Sequence, residues 1–220
     1  MAARKARPRR FRYEWALVEQ GMTRIAGVDE AGRGPLAGPV FAAAVILPPD
    51  WILNGMPKKL KQINDSKQLT PELREFLFQE LIAHPEVHYA VAQVPEQMID
   101  QINILQASHR AMNQALAQLS PAPQHVLVDG LRVRSLAWPQ TPIVSGDALS
   151  YSIAAASILA KVSRDRLMIQ LDAQYPAYGF AEHKGYGTPD HLAAIKAHGP
   201  CPLHRQSFSP FRPTQTEMFD

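Results

Sequence analysis

From Arg24 onward the chain alternates short apolar runs with longer segments whose apolar residues recur every three or four positions. Arg24-Ile-Ala-Gly-Val-Asp-Glu30 predicts a short strand ending in two acids. Phe41-Ala-Ala-Ala-Val-Ile-Leu47 predicts a second, buried strand, stopped by Pro48 and Pro49. The Gly/Pro-rich Gly32-Arg-Gly-Pro-Leu-Ala-Gly-Pro39 joins them, so the chain opens strand-loop-strand. Thr70-Pro71-Glu72 supplies a cap and a first-turn proline for a helix running to about Ala83. Val87 to Val94 reads as a strand. Between Pro95 and Leu119, residues Met98, Ile102, Leu105, Ala111, Met112, Ala115, Leu116 and Leu119 fall mostly at helical spacing, predicting a long amphipathic helix with a break near Asn103. His125-Val-Leu-Val-Asp129 and Thr141-Pro-Ile-Val-Ser-Gly146 predict two more strands, the first ending in an acid and the second just before Asp147. Ser150 to Tyr175 predicts a long helix whose small run Ala154-Ala-Ala-Ser157 permits close approach to a sheet or another helix, and Pro189 to Ala197 a last short one. Strands alternating with helices imply an α/β sheet with a mostly helical C-terminal third.

Composition narrows the class. The 220 residues are 46% hydrophobic and 20% charged, the balance of a folded globular chain. The longest apolar runs, Val40 to Leu47 and Ile153 to Ala160, fall far short of the roughly 20 residues that cross a bilayer. No secretory signal pattern opens the chain, and a cytoplasmic protein is expected. The lone cysteine, Cys201, leaves no internal disulfide and no thiolate zinc cluster, so any metal must be held by oxygen or imidazole. The 23 basic and 20 acidic side chains are unevenly placed: Arg4, Lys5, Arg7, Arg9, Arg10 and Arg12 fall in the first twelve residues, with no acid among them. Removing those six leaves 17 basic against 20 acidic, so the body is mildly acidic. Residues 1–21 read as a basic arm, either a phosphate-seeking tail or a solvated end.

Asp29, Glu30, Asp129 and Asp147 all fall where an expected strand stops, the edge at which α/β folds gather ligand-handling groups. Each acid alone reads equally well as a loop former; four together call for a cation that offsets their repulsion. Oxygen-only ligands select Mg²⁺ or Mn²⁺, and phosphodiester hydrolysis is the chemistry such a site serves. Neighbouring side chains on a strand point to opposite faces, so Asp29 and Glu30 are expected to share a site only where the strand has begun to turn. Gly32-x-Gly34-x-x-Ala37 formally matches a dinucleotide fingerprint, but Pro35 and Pro39 interrupt the helix it requires and the acid expected about 20 residues on is missing. Its glycines read better as bringing main-chain groups close to a ligand backbone of ribose hydroxyls and phosphates.

Gly27-Val-Asp-Glu-Ala-Gly-Arg-Gly-Pro-Leu-Ala-Gly-Pro39 resembles the opening motif of the type 2 ribonucleases H, specifically bacterial ribonuclease HII. The likeness continues in order through Asn64-Asp-Ser-Lys-Gln-Leu69, Val128-Asp-Gly130, Gly146-Asp147, Ala155-Ala-Ser-Ile-Leu-Ala-Lys-Val-Ser-Arg-Asp165, Gly179-Phe180, His183-Lys-Gly-Tyr-Gly-Thr188 and His204-Arg-Gln-Ser-Phe208. It covers roughly residues 22–210, taken as one catalytic domain: a ribonuclease H-like mixed α/β sheet flanked by helices, with a mostly helical C-terminal region. The resemblance implies a metal-dependent endonuclease that hydrolyses RNA in RNA-DNA hybrids. It also implies incision 5′ to single ribonucleotides embedded in duplex DNA, leaving 5′-phosphate and 3′-hydroxyl ends, with a place in DNA replication and ribonucleotide excision repair. Asp29, Glu30, Asp129 and Asp147 match the family's metal-binding acids. Gly32, Arg33 and Gly34 match the loop that reads the 2′-hydroxyl, and Tyr186 the tyrosine that packs on the following deoxyribose.

Lys67, Lys161, Arg164 and Lys184 are candidate phosphate contacts, with ordinary surface charge as the alternative. His183 is expected to brace its loop rather than bind metal or move a proton, and Ser157 to lie in helix packing. The tail over residues 211–220 carries Gln215-Thr-Glu-Met-Phe219, which resembles peptides that dock on the bacterial sliding clamp through residues such as Gln215, Met218 and Phe219; a tail packed on its own domain is the alternative. A monomer is expected. A hybrid-binding module without catalysis, and a ribonuclease H preferring long hybrids, are the rival functions; the four acids argue against the first, and Gly32-Arg33-Gly34 with Tyr186 against the second.

Overall fold

The computed structural model describes residues 9–211, so residues 1–8 of the basic arm, and Gln215, Met218 and Phe219 of the tail, lie outside the described residues. One five-stranded sheet forms the centre, in the order β3-β2-β1-β4-β5. Its strands are β1 (Ile25–Ala31), β2 (Val40–Ile46), β3 (His88–Val94), β4 (His125–Asp129) and β5 (Gln140–Ile143). β1 pairs antiparallel with β2 and β2 with β3, whereas β1-β4 and β4-β5 are parallel. The mixed α/β sheet is as expected. Its connectivity puts the carboxyl ends of β1, β4 and β5 at a single edge.

Helices cover both faces. In chain order they are α1 (Arg12–Val18), α2 (Pro49–Asn54), α3 (Pro71–Ala83), α4 (Glu96–Gln118), α5 (Gly146–Leu149), α6 (Tyr151–Asp172), α7 (Phe180–His183) and α8 (Pro189–His198). β1 has apolar residues on both sides: Ile25 joins the core shared with α6, and Ala26 and Val28 join the core shared with α4. That two-sided burial explains why its sequence reads as a continuous apolar run. α6 lies very close to β1. A Cβ on Gly27 would stand 2.1 Å from the Ser152 carbonyl carbon, so only glycine fits there, and the run Ala154-Ala155-Ala156 buries completely against the sheet.

The expected breaks and caps follow local chemistry. Asn103 takes φ 66° inside α4, and its Oδ1 accepts from the Gln106 N–H at 3.1 Å, capping the second half of the broken helix. Thr70 and Thr188 cap α3 and α8 in the same way.

The N-terminal segment departs from the arm expected over residues 1–21. Arg9–Phe11 form a 3₁₀ turn leading directly into α1. Phe11 and Leu17 are buried in the α6-side core, and Glu14 is buried with them. Glu14 Oε1 accepts from the Ser150 hydroxyl at 2.6 Å and the Ser152 N–H at 3.1 Å, at the start of α6. The basic run therefore leads into a docked helix that the charge pattern alone conceals.

Candidate active site

The shared carboxyl edge gathers the four acids. Asp29 and Glu30 end β1, Asp129 ends β4, and Asp147 follows β5 on the short α5. β1 does not turn at Glu30: it stays paired through Ala31, with Asp29 opposite Ala43 and Glu30 opposite Ala42. The turn at Glu30 that would set both side chains on one face is therefore absent, because the pleat is kept through both acids. Ala43 packs in the α6-side core and Ala42 in the α4-side core, so the two acids approach the edge from opposite faces.

Their electrostatics are those of crowded, partly desolvated anions. Burial, then the charges of Glu30 and Asp129, push the Asp29 carboxyl well above its ordinary range. Burial raises Asp129, with Glu30 adding to it, and raises Asp147, with Asp129 and then Asp65 adding to it. Directional hydrogen bonds fix the group: Asp29 Oδ1 accepts from the Glu30 N–H at 2.7 Å, Asp129 Oδ1 from the Gly146 N–H at 2.7 Å, and Asp147 Oδ1 from the Ala148 N–H at 2.8 Å. Glu30 pairs with Arg33 at 2.9 Å. Among the described residues no three His, Cys, Asp or Glu side chains stand closely enough grouped to hold an ion without adjustment. The donor set is nonetheless all oxygen, and its mutual repulsion is what a divalent cation relieves. Gathering Glu30 into such a site requires it to leave Arg33.

A cleft of about 460 Å³ opens at this edge; of the four acids Glu30 lines it, with Gly32, Arg33, Gly34, Lys67, Lys161, Lys184 and Tyr186 among the other walls. The structure therefore brings the glycine loop, the tyrosine and three of the four expected phosphate contacts to one place. Tyr186 is 41% exposed, and Lys161 Nζ lies 5.9 Å from its ring centroid. Lys161 also pairs with Asp165 at 2.7 Å, and burial lowers its ammonium pKa. Lys67 acts electrostatically on Asp129 and Asp147.

Arg164 is the exception among the expected phosphate contacts. It is 1% exposed, and its guanidinium donates to the carbonyls of Pro39, Ala37 and Lys184, each at 3.0 Å. A second buried arginine, Arg205, donates from Nε to Gly38, from Nη1 to Arg33 and from Nη2 to both Gly32 and Gly38. Among the described residues no carboxylate is hydrogen-bonded to either, and burial lowers Arg164 to about 10 and Arg205 to about 9, leaving both charged at neutral pH. Together they hold the glycine loop by its carbonyls. Gly32, at φ 93°, is required beneath Arg164, since a Cβ there would stand 2.1 Å from Arg164 Nε. His183 braces its own loop: Nε2 donates to the Tyr178 carbonyl at 2.7 Å, and Nδ1 accepts from the Gly185 N–H at 3.2 Å.

Residues 26–210 match the family model described as Ribonuclease HII. The chain belongs to the ribonuclease HII family. It is accordingly a ribonuclease H, an endoribonuclease. The ribonuclease HII of Ruminiclostridium cellulolyticum is 54% identical over 196 residues, covering 89% of this chain and 74% of that one. That of Chlamydia trachomatis serovar A is 52% identical over 200 residues, covering 91% and 88%. Among solved structures, ribonuclease H2 from Pyrococcus horikoshii OT3 superposes with a TM-score of 0.69 at 31% identity, covering 86% of this chain and 95% of that one. The ribonuclease H-like architecture is shared.

In this ribonuclease HII fold three further side chains serve the site. Ser157, expected only in helix packing, lines the cleft, faces the Ser66 hydroxyl at 3.0 Å and partly offsets the rise in the Asp29 carboxyl's pKa. Arg74 donates to the carbonyls of Ser66 and Leu69 and faces Asp165 at 3.7 Å, tying the Lys67 loop to α6. Arg205 is the third. It stands inside His204-Arg-Gln-Ser-Phe208, between the polar neighbours His204 and Gln206, which carry no sign of its burial.

Proposed function

We propose that this ribonuclease H incises 5′ to a ribonucleotide at an RNA-DNA junction, single ribonucleotides in duplex DNA included, and leaves 5′-phosphate and 3′-hydroxyl ends. The observation that carries this reading is the meeting of the repelling carboxyls Asp29, Asp129 and Asp147, together with Glu30, beside the cleft that holds Gly32-Arg33-Gly34 and Tyr186. Asp29 and Asp129 are the main ligands of Mg²⁺ or Mn²⁺ in this reading, with Glu30 and Asp147 completing the set. Bound there, the cation supplies an activated water and stabilises the leaving oxygen.

The chain's own groups do the rest. Main-chain groups of the glycine loop, held by Arg164 and Arg205, face the ribose 2′-hydroxyl, the one sugar feature that separates RNA from DNA. Tyr186 packs on the next sugar, where an added hydroxyl would clash. Lys67, Lys161 and Lys184 take backbone phosphates, and Arg33 is freed for the same purpose when Glu30 turns to the cation. Clamp docking through Gln215, Met218 and Phe219 belongs to the same reading.

The test is incubation of the purified protein with a DNA duplex carrying one ribonucleotide, with Mg²⁺, with Mn²⁺ and with chelator, beside Asp129→Asn. Metal-dependent incision 5′ to the ribonucleotide, lost by at least a hundredfold in the variant, is the expected result. Cleavage of long hybrids but not of this duplex would move the reading to a hybrid-preferring ribonuclease H.

A further inference from the structure

The cleft does not end at Glu30. Glu30 and Arg33 also line a second depression, on the α4 side, with Leu105, His109, Asp129 and Leu131. Leu105 and His109 lead on to a third, walled by Arg132 and Arg134 from the segment joining β4 and β5. His109 and Ser135 then border a fourth, which holds Arg110. Their shared lining residues set the four depressions side by side, and the groove referred to below is this series, from the cleft at Tyr186 past Glu30 and across the second half of α4.

Charge along the groove is strongly graded. Beyond Glu30 and Asp129 no Asp or Glu lines it, while three arginines do. Among the described residues Arg132 and Arg134 are exposed and form no ion pair, and Arg110 forms none either, its guanidinium reaching the Met98 sulfur at 3.5 Å. The body of the chain carries more acid than base, so this concentration of uncompensated arginines is not a consequence of overall composition. Between the acids and the arginines stand two apolar side chains left in solvent, Leu131 at 78% and Leu105 at 45% exposure. Guanidinium groups spaced along a trough with apolar contacts between them suit a sugar-phosphate backbone, whose charge repeats and whose sugar faces are weakly polar.

We propose that this groove carries the nucleic-acid duplex beyond the cleavage site on the side opposite Tyr186, with Arg132, Arg134 and Arg110 holding backbone phosphates without regard to sequence. The inference rests on the reading of the four acids as the site of incision, and it adds a second half to the substrate track. A duplex is favoured over an acidic protein because the depressions adjoin that site and share Glu30 and Arg33 with it.

The experiment compares the full chain with Arg132→Ser plus Arg134→Ser, and with Lys58→Ser plus Lys61→Ser as an equal loss of charge at exposed residues outside the groove. Binding of a plain DNA duplex is followed by fluorescence anisotropy against salt. Loss of two phosphate contacts should make the plot of log affinity against log salt shallower by about 2 and weaken binding roughly tenfold near 0.15 M salt. The lysine pair should leave both unchanged. Cleavage is then measured on ribonucleotide duplexes shortened on one side or the other of the ribonucleotide. Shortening on one side only should erase the difference between the arginine variant and the unaltered chain. An unchanged salt slope, an equal effect from the lysine pair, or a difference that survives both shortenings overturns the groove. Failure of the intact chain to cut any ribonucleotide duplex counts against the incision reading alone, because plain-duplex binding reports on the arginines independently.

Discussion

Asp29 shows at the scale of one residue how function is set against stability. Its carboxyl is buried and faces two other anions, so its folded pKa lies above the ordinary 3.8. A group of this sign binds its proton more tightly when folded. Ionised, it therefore costs stability, a cost in force above the raised pKa, shrinking as pH falls through it and absent once pH is below the ordinary value. Asp29→Asn keeps an acceptor for the Glu30 N–H and removes the charge. In chelator at pH 8 the variant should unfold at higher urea, by about 1–2 kcal/mol, and the gap should close toward pH 4. Adding Mg²⁺ should raise the midpoint of the unaltered chain and leave that of the variant where it was. A variant less stable at pH 8 would show that the carboxylate is well satisfied without a cation. The acid was legible because it ends an apolar run. Its neighbour Ser157 was not, since a small residue in a small-residue helix gives no sign that it will stand beside a carboxyl from a strand at the other end of the chain.

Among the elements, α1 is where local pattern and structure part most clearly. Strands β1, β2, β3 and β4, and helices α3, α4, α6 and α8, were legible from periodicity and capping, because burial on defined faces writes itself into the sequence. α1 is short, and its arginines suggest a solvated end; Phe11, Glu14 and Leu17 acquire meaning only against α6. Its hold is specific. Glu14 satisfies two donors at the start of α6, and Arg10 donates to the Asp147 carbonyl at 2.8 Å, so one helical turn supports both the long helix and the fourth acid. Glu14→Ala strands the Ser150 hydroxyl and the Ser152 N–H in a buried setting and should cost about 2–4 kcal/mol in urea denaturation. Glu14→Gln, which retains the amide oxygen as acceptor, should recover most of that loss. Equal losses in the two variants would point to shape rather than hydrogen bonding. β5 was placed slightly late, over Thr141–Gly146 against Gln140–Ile143, because the apolar run continues past the last paired residue.

Across the whole molecule the topology does the assembling: three parallel strands bring acids from the start of the chain and from its second half to one edge, while two arginines from α6 and the C-terminal segment hold the loop beside them. The sequence made the acids, the glycine loop and Tyr186 legible as candidates. The arginine clamp was hidden, since charge ordinarily implies exposure and only the assembled loop supplies the carbonyls that make burial of Arg164 and Arg205 tolerable. The tail is also tested at this scale: the intact chain should co-elute with a bacterial sliding clamp at micromolar concentration, and Met218→Ala plus Phe219→Ala should abolish it. No association of the intact chain at that concentration would remove the clamp from the reading. The unturned β1 has one more consequence, for length rather than chemistry. Asp29 and Glu30 serve opposite sides of a seven-residue strand, so inserting or deleting a single residue within it would trade their sides while leaving a hairpin that still pairs. Composition would survive such a change almost intact, yet each carboxyl would stand where the other is needed.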